Sequence, residues 1–128
     1  MKKAISGQGV ARPGGPYSPG LRAGDFIFVS GQVPTDPETG KVAGESIEEQ
    51  TRQVLNNVKA VLEAAGASMD DCVKVTVHLQ DIKEFSRFNE VYAGFFCDPK
   101  PTRTTVQSGL SGVRVEIDAI AHSPARSE

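Results

Sequence analysis

Two hydrophobic periods run along this chain, one near 3.6 residues and one of two. From Ser46 to Gly66, SIEEQTRQVLNNVKAVLEAAG, the residues Ile47, Val54, Leu55, Val58, Val61, Leu62 and Ala65 trace one apolar face, which predicts an amphipathic helix. Ser46 and Glu49 have capping-box spacing at its start, and Gly66 is a natural stop. Asn56 and Asn57 are expected to face solvent or a turn at the sheet edge. A second helix is predicted over DIKEFSRFNEVYAGFF, where Ile82, Phe85, Phe88, Tyr92 and Phe95 recur every three or four residues. This aromatic stripe reads as core.

The period of two marks strands. In CVKVTVHLQ, Val73, Val75, Val77 and Leu79 share one face, and Lys74, Thr76, His78 and Gln80 the other. In VRVEIDAIAH, Val113, Val115, Ile117, Ala119 and Ala121 oppose Arg114, Glu116, Asp118, Ile120 and His122. DFIFVSGQV is apolar on both faces and reaches Ser30-Gly31, where the missing side chain lets another group approach closely. PTRTTVQ is rich in β-branched residues, and Pro99 and Pro101 hold its approach extended. A tight QSGLSG hairpin is expected to join it to the last strand. Residues 7–24, with six glycines and three prolines, read as an ordered irregular loop that pins Tyr17. The order is then β, β, α, β, α, β, β: an α+β fold of one mixed sheet with two helices on one face. The uncovered face carries Thr76, His78, Arg114, Glu116 and Asp118, which gives the chain a motive to form a closed cyclic oligomer.

Composition narrows the picture. A chain of 128 residues is expected to form one domain over residues 1–128. A net charge of −2 with scattered Lys and Arg offers no basic stripe for a phosphate backbone, and no base-stacking aromatic platform is visible. Nucleic acid is therefore disfavoured as a partner. No apolar run reaches membrane-span length, and MKKAISGQGV lacks the apolar core of a signal peptide, so a cytoplasmic location is expected. Cys72 and Cys97 form no CxxC pair, and they read as reduced, packing cysteines with no metal or cofactor role. His78 and His122 lack the neighbours of a catalytic triad in sequence.

GPYSPG (15–20), FVSGQVPTDPETGKV (28–42), NVKAVLEAAG (57–66), VKVTVHLQDIKEFSRFNEVYAGFF (73–96), PTRTTV (101–106) and VEIDAIA (115–121) occur in the order found in the RidA/YjgF family of reactive-intermediate deaminases. The chain resembles that family over nearly its whole length. The resemblance implies a chorismate-mutase-like fold and a homotrimer with a central β-barrel and active sites in the clefts between subunits. It implies hydrolysis of 2-imino acids, such as 2-iminobutanoate and 2-iminopropanoate, to 2-keto acids and ammonia. Arg103 would then hold the substrate carboxylate and Glu116 would serve the hydrolytic water. Tyr17, Ser30, Gly31 and Asn89 would line or support the cleft, and Thr105 would present its backbone carbonyl. The link QSGLSG lacks a Leu-Pro that is common in the family, which bears on rim contacts and substrate preference.

The chemistry suits these residue types. A planar guanidinium takes a carboxylate through two parallel hydrogen bonds and so orients the adjacent imine carbon. A carboxylate within reach of a water accepts its proton as the water attacks. No metal is needed, because protonated imines hydrolyse readily. Proteins similar to the family have also been described as ribonucleases acting on messenger RNA, an endoribonuclease-type translation inhibitor, and as binding or chaperone-like proteins. A carboxylate-binding regulatory trimer without catalysis is a further alternative, since Arg103 alone would serve it. Glu116 separates the last of these, since a pure anion binder has no use for a carboxylate beside its ligand.

Overall fold

One mixed six-stranded sheet, with two helices against one of its faces, makes up the computed structural model, which describes residues 1–124. In chain order the elements are β1 (Lys3–Ile5), β2 (Gly20–Ala23), β3 (Phe26–Gln32), α1 (Ile47–Ala64), β4 (Cys72–Leu79), α2 (Phe85–Ala93), β5 (Thr102–Gln107) and β6 (Val115–His122). Strand order across the sheet is β1-β2-β3-β6-β4-β5. The α+β class and the single sheet match the expectation. Three strands rather than two precede α1, because the loop over residues 7–24 closes into β2, which pairs antiparallel with both β1 and β3.

The core follows the two periods. Ile47, Val54, Leu55, Val58, Val61 and Leu62 of α1 are buried against Ile27 and Val29 of β3, Val75, Val77 and Leu79 of β4, and the alternate residues Val115 to Ala121 of β6. Ser46 and Glu49 close the capping box at the start of α1. Gly66 takes φ +84° just past its end, a left-handed conformation that favours glycine.

Four local expectations give way to packing. Asn57 is 2% exposed rather than at the surface. Its amide donates to the carbonyls of Val33 (3.0 Å) and Thr35 (2.8 Å), which ties an irregular segment to the helix. Val73 points outward, because the β4–β6 register shifts between Cys72 and Lys74 and breaks the alternation there. The second helix is shorter than its aromatic stripe: Ile82 lies in a 3₁₀ turn before it, and Ile82 and Phe85 stay exposed. Cys72 packs in the core as expected, with its thiol pushed up to about 12 chiefly by burial, whereas Cys97 is exposed.

The hairpin between the last two strands does not exist. β5 pairs in parallel with β4, and β6 pairs antiparallel with the other side of β4. The QSGLSG link therefore rounds the end of β4. Ser108 N–H donates to the Leu79 carbonyl (2.9 Å), Gln80 N–H to Arg114 O (2.9 Å) and Leu110 N–H to Gln80 Oε1 (2.6 Å). One edge of β5 consequently has no strand partner among the described residues.

The uncovered face is not wholly polar. Thr76, His78, Glu116 and Asp118 lie at one side of it, while Phe26 and Phe28, each 42% exposed, occupy the other with Ile120 between. No helix among the described residues is long and apolar enough to cross a membrane.

Candidate active site

The residues expected to form the site fall into two groups on opposite faces of the sheet. The first gathers where β3 kinks. A register shift between Val29 and Gln32 marks a bulge opposite β6, and it holds Ser30 and Gly31. Ser30 is fixed from both ends: its N–H donates to Pro19 O (3.0 Å) and its Oγ to Ser18 O (2.6 Å). The Glu116 side chain lies directly against Gly31, so that a Cβ there would come 3.0 Å from the Glu116 carboxyl carbon. Glycine is thus the residue that leaves room for this carboxylate.

Tyr17 stands above the same bulge. It is 50% exposed, and its Oη accepts a hydrogen bond from Gly14 N–H (3.1 Å), which closes the Gly-Pro turn on its own aromatic ring. Tyr17 and Gly31 line a cleft of about 540 Å³ together with Arg12, Gln32, Asp36 and Glu38. A cation and two carboxylates around an open cleft suit a small polar ligand better than an apolar one.

The second group sits between β5 and α2. Arg103 is directly opposite Val75 in the sheet and so projects to the helix-covered face. Its guanidinium lies 4.6 Å from the ring centre of Tyr92 and 5.5 Å from those of Phe85 and Phe88. Among the described residues no carboxylate pairs with Arg103, and Asp118 belongs to the opposite face. Thr105 shares the Arg103 face, and Asn89 lies on α2. Asn89 Oδ1, Thr105 Oγ1 and Tyr92 Oη are all buried with no hydrogen-bond partner among the described residues. Burial raises the Tyr92 hydroxyl to about 12 although the Arg103 charge pulls the other way, so it remains protonated at neutral pH.

Within one chain these groups do not converge. Arg103 is opposite Val75 and Glu116 opposite His78, on the two flanks of β4. Two strand spacings sideways and three residues along put their Cα atoms roughly 14 Å apart, before their opposite facings are counted. One chain does not bring both side chains to one small ligand.

Two features of this region were hidden in the sequence. The aromatic stripe of α2 is core on one flank and surrounds Arg103 on the other; the spacing of Phe85, Phe88 and Tyr92 shows a face but not what lies on it. His78 Nδ1 is 2.7 Å from Ser108 Oγ, a contact across 30 residues that depends on the link rounding β4. Among the described residues no group of three or more His, Cys, Asp or Glu could hold a metal ion.

Residues 9–123 match the family model described as Endoribonuclease L-PSP. A RutC family protein of Pyrococcus horikoshii is 48% identical over 124 residues, covering 95% of this chain and 98% of the relative. The chloroplastic Reactive Intermediate Deaminase A of Arabidopsis thaliana is 39% identical over 122 residues, 94% of this chain and 65% of that longer protein. The crystal structure of Escherichia coli TdcF with bound serine superposes with a TM-score of 0.87 at 39% identity, covering 98% of this chain and 99% of that one.

Proposed function

Since the chain belongs to the RidA/YjgF family, matched over residues 9–123 by the model described as Endoribonuclease L-PSP, we propose that it is a deaminase of 2-imino acids. The substrates are 2-iminobutanoate and 2-iminopropanoate, and the products the 2-keto acid and ammonia. The working unit is a homotrimer, each site lying between two subunits. The observation that carries this reading is the split of the site: among the described residues Arg103 has no carboxylate partner on one face, and Glu116 is seated against Gly31 on the other. Only a second copy supplies both halves to one substrate, and the exposed Phe26 and Phe28 give that copy apolar surface to bury.

Arg103 binds the carboxylate with its planar fork and so fixes the imine carbon beside Glu116 of the partner subunit. Glu116 accepts a proton from water as the water oxygen bonds to that carbon. The substrate reacts as the protonated imine, so the C=N π pair moves to nitrogen and gives a neutral carbinolamine. Glu116 passes its proton to that nitrogen, the C–N bond breaks, and the Glu116 carboxylate accepts the hydroxyl proton as the carbonyl forms and ammonia leaves. Tyr17 Oη already accepts from Gly14 N–H, so its own proton is available to the water or to the departing nitrogen. Ser30 and Gly31 shape the wall, and Asn89 and the Thr105 carbonyl support the Arg103 side. TdcF with bound serine, a small amino acid, is consistent with a site for small carboxylates.

The test generates both imines in situ with an amino-acid oxidase and follows their decay with and without the protein. Faster decay is expected, with Glu116→Gln slowing turnover by about 10²-fold or more while binding of 2-oxobutanoate is retained. No acceleration of either imine, or cleavage of single-stranded RNA in its place, would overturn the proposal.

A further inference from the structure

A guanidinium has two kinds of surface. Its faces accept aromatic rings, and its N–H donors radiate in the plane, where a carboxylate must approach. Around Arg103 the three rings of α2 lie within the range of a cation–π contact, Tyr92 closest at 4.6 Å. Tyr92 is itself immobilised: it is 5% exposed, and its ring centre lies 5.4 Å from that of Phe88 and 4.7 Å from that of Phe96. A cation held by a ring fixed in the core has a defined orientation before any ligand arrives, so less freedom is lost on binding.

Resting on the reading of Arg103 as a carboxylate clamp, we propose that Tyr92 is its positioning residue, acting through the ring, with Phe85 and Phe88 completing the seat. The hydroxyl is not the working part. It is buried with no hydrogen bond of good geometry among the described residues, and its polar contact with Arg103 is the weakest of the influences on it, so its removal costs little. Phe85 is more exposed and contributes the outer wall, which makes it replaceable without disturbing the core.

The test compares Tyr92→Leu, Tyr92→Phe and Phe85→Leu with the parent protein, each alone and in an Arg103→Ala background. The readouts are KM and kcat for imine decay, Kd for 2-oxobutanoate by calorimetry, and the Arg103 side-chain Nε–H resonance of the ligand-free protein. Loss of the Tyr92 ring should raise KM and Kd by about tenfold with kcat within about twofold, and loss of the Phe85 ring by about threefold. Tyr92→Phe should restore both constants to near the parent values. In the Arg103→Ala background the ring deletions should have no further effect, which a merely structural role would not produce. The Nε–H resonance should move in Tyr92→Leu, reporting the seat without any ligand. If the parent protein hydrolyses no imine, the proposed activity falls, while Kd and the resonance still decide the role of Tyr92. Should Tyr92→Leu fail to fold, Phe85→Leu carries the same comparison. A folded Tyr92→Leu protein with native constants and an unmoved resonance overturns the inference. So does a Tyr92→Phe protein as impaired as Tyr92→Leu.

Discussion

Replacing Asn57 by Ala should destabilise the protein far more than an Asn on a helix would suggest. The side chain is 2% exposed and makes three hydrogen bonds: Nδ2 donates to Val33 O and Thr35 O, and Oδ1 accepts from Gln53 Nε2 at 2.8 Å. Val33 O keeps a second donor, Thr35 N–H at 2.7 Å, so its loss is partial. Thr35 O is left without its Asn57 donor. Two buried bonds at about 1 kcal/mol each, plus about 1–2 kcal/mol for the stranded Thr35 carbonyl, give about 3–4 kcal/mol. Gln53→Ala removes only the half-exposed partner and should cost about 0.5–1 kcal/mol. Urea unfolding of both variants at one fixed protein concentration, followed by circular dichroism, makes the comparison. Because Val33 and Thr35 line the cleft beside Gly31, the Asn57→Ala protein should also lose activity below its unfolding midpoint. A loss under about 1 kcal/mol for Asn57→Ala would refute the reasoning, since a buried double donor cannot be removed so cheaply unless water replaces it.

Three further outcomes follow from particular contacts. Gly31→Ala should fold, because the obstructed group is the end of the flexible Glu116 side chain, yet turnover should fall by about 10²-fold as the carboxylate is displaced by an ångström or so; a native rate in steady-state kinetics would remove Glu116 from the reaction. Arg103→Lys keeps the charge on the aromatic seat but loses the planar fork, so kcat/KM should drop about 30- to 1,000-fold on both imines while circular dichroism and light scattering stay native; near-native activity would exclude the bidentate clamp. The Arg87 guanidinium, bonded to Glu48 at 2.6 and 2.8 Å, holds that carboxyl down at about 2 from its usual 4.5. The folded value is the lower one, so the pair's stabilisation is present above pH 4.5 and is lost as pH falls towards 2. In Glu48→Gln the melting temperature should consequently fall less steeply across that window, by a small margin for so exposed a pair.

Much of the fold was legible because it is local. The capping box at Ser46 and Glu49, the apolar face of α1 and the alternation along β4 and β6 are written within a few residues of one another, and burial followed them except where the register shift turns Val73 outward. What failed was non-local. Nothing in QSGLSG tells a hairpin from a link that rounds a third strand; that depends on β4 lying between β5 and β6. Asn57 has no periodic signature, because its role comes from an irregular segment more than twenty residues earlier. At the site, resemblance named Arg103, Glu116, Tyr17 and Gly31, and the fold accounts for how two of them are seated: Gly31 makes space for Glu116. The ring seat of Arg103 could be read only once α2 was laid on β5.

The central claim, imine hydrolysis at sites shared between subunits, is tested most directly by mixing two inactive proteins. Arg103→Ala and Glu116→Gln chains, each purified and then unfolded and refolded together in equal amounts, would assort at random into trimers. A site that takes its arginine from one subunit and its glutamate from the next is intact in about a quarter of the interfaces, so the mixture should recover about 25% of parental imine turnover. Each variant refolded alone should remain at its own low level. If both groups belonged to a site within one chain, no assortment could restore it, and a refolded mixture no more active than its components would contradict the shared site.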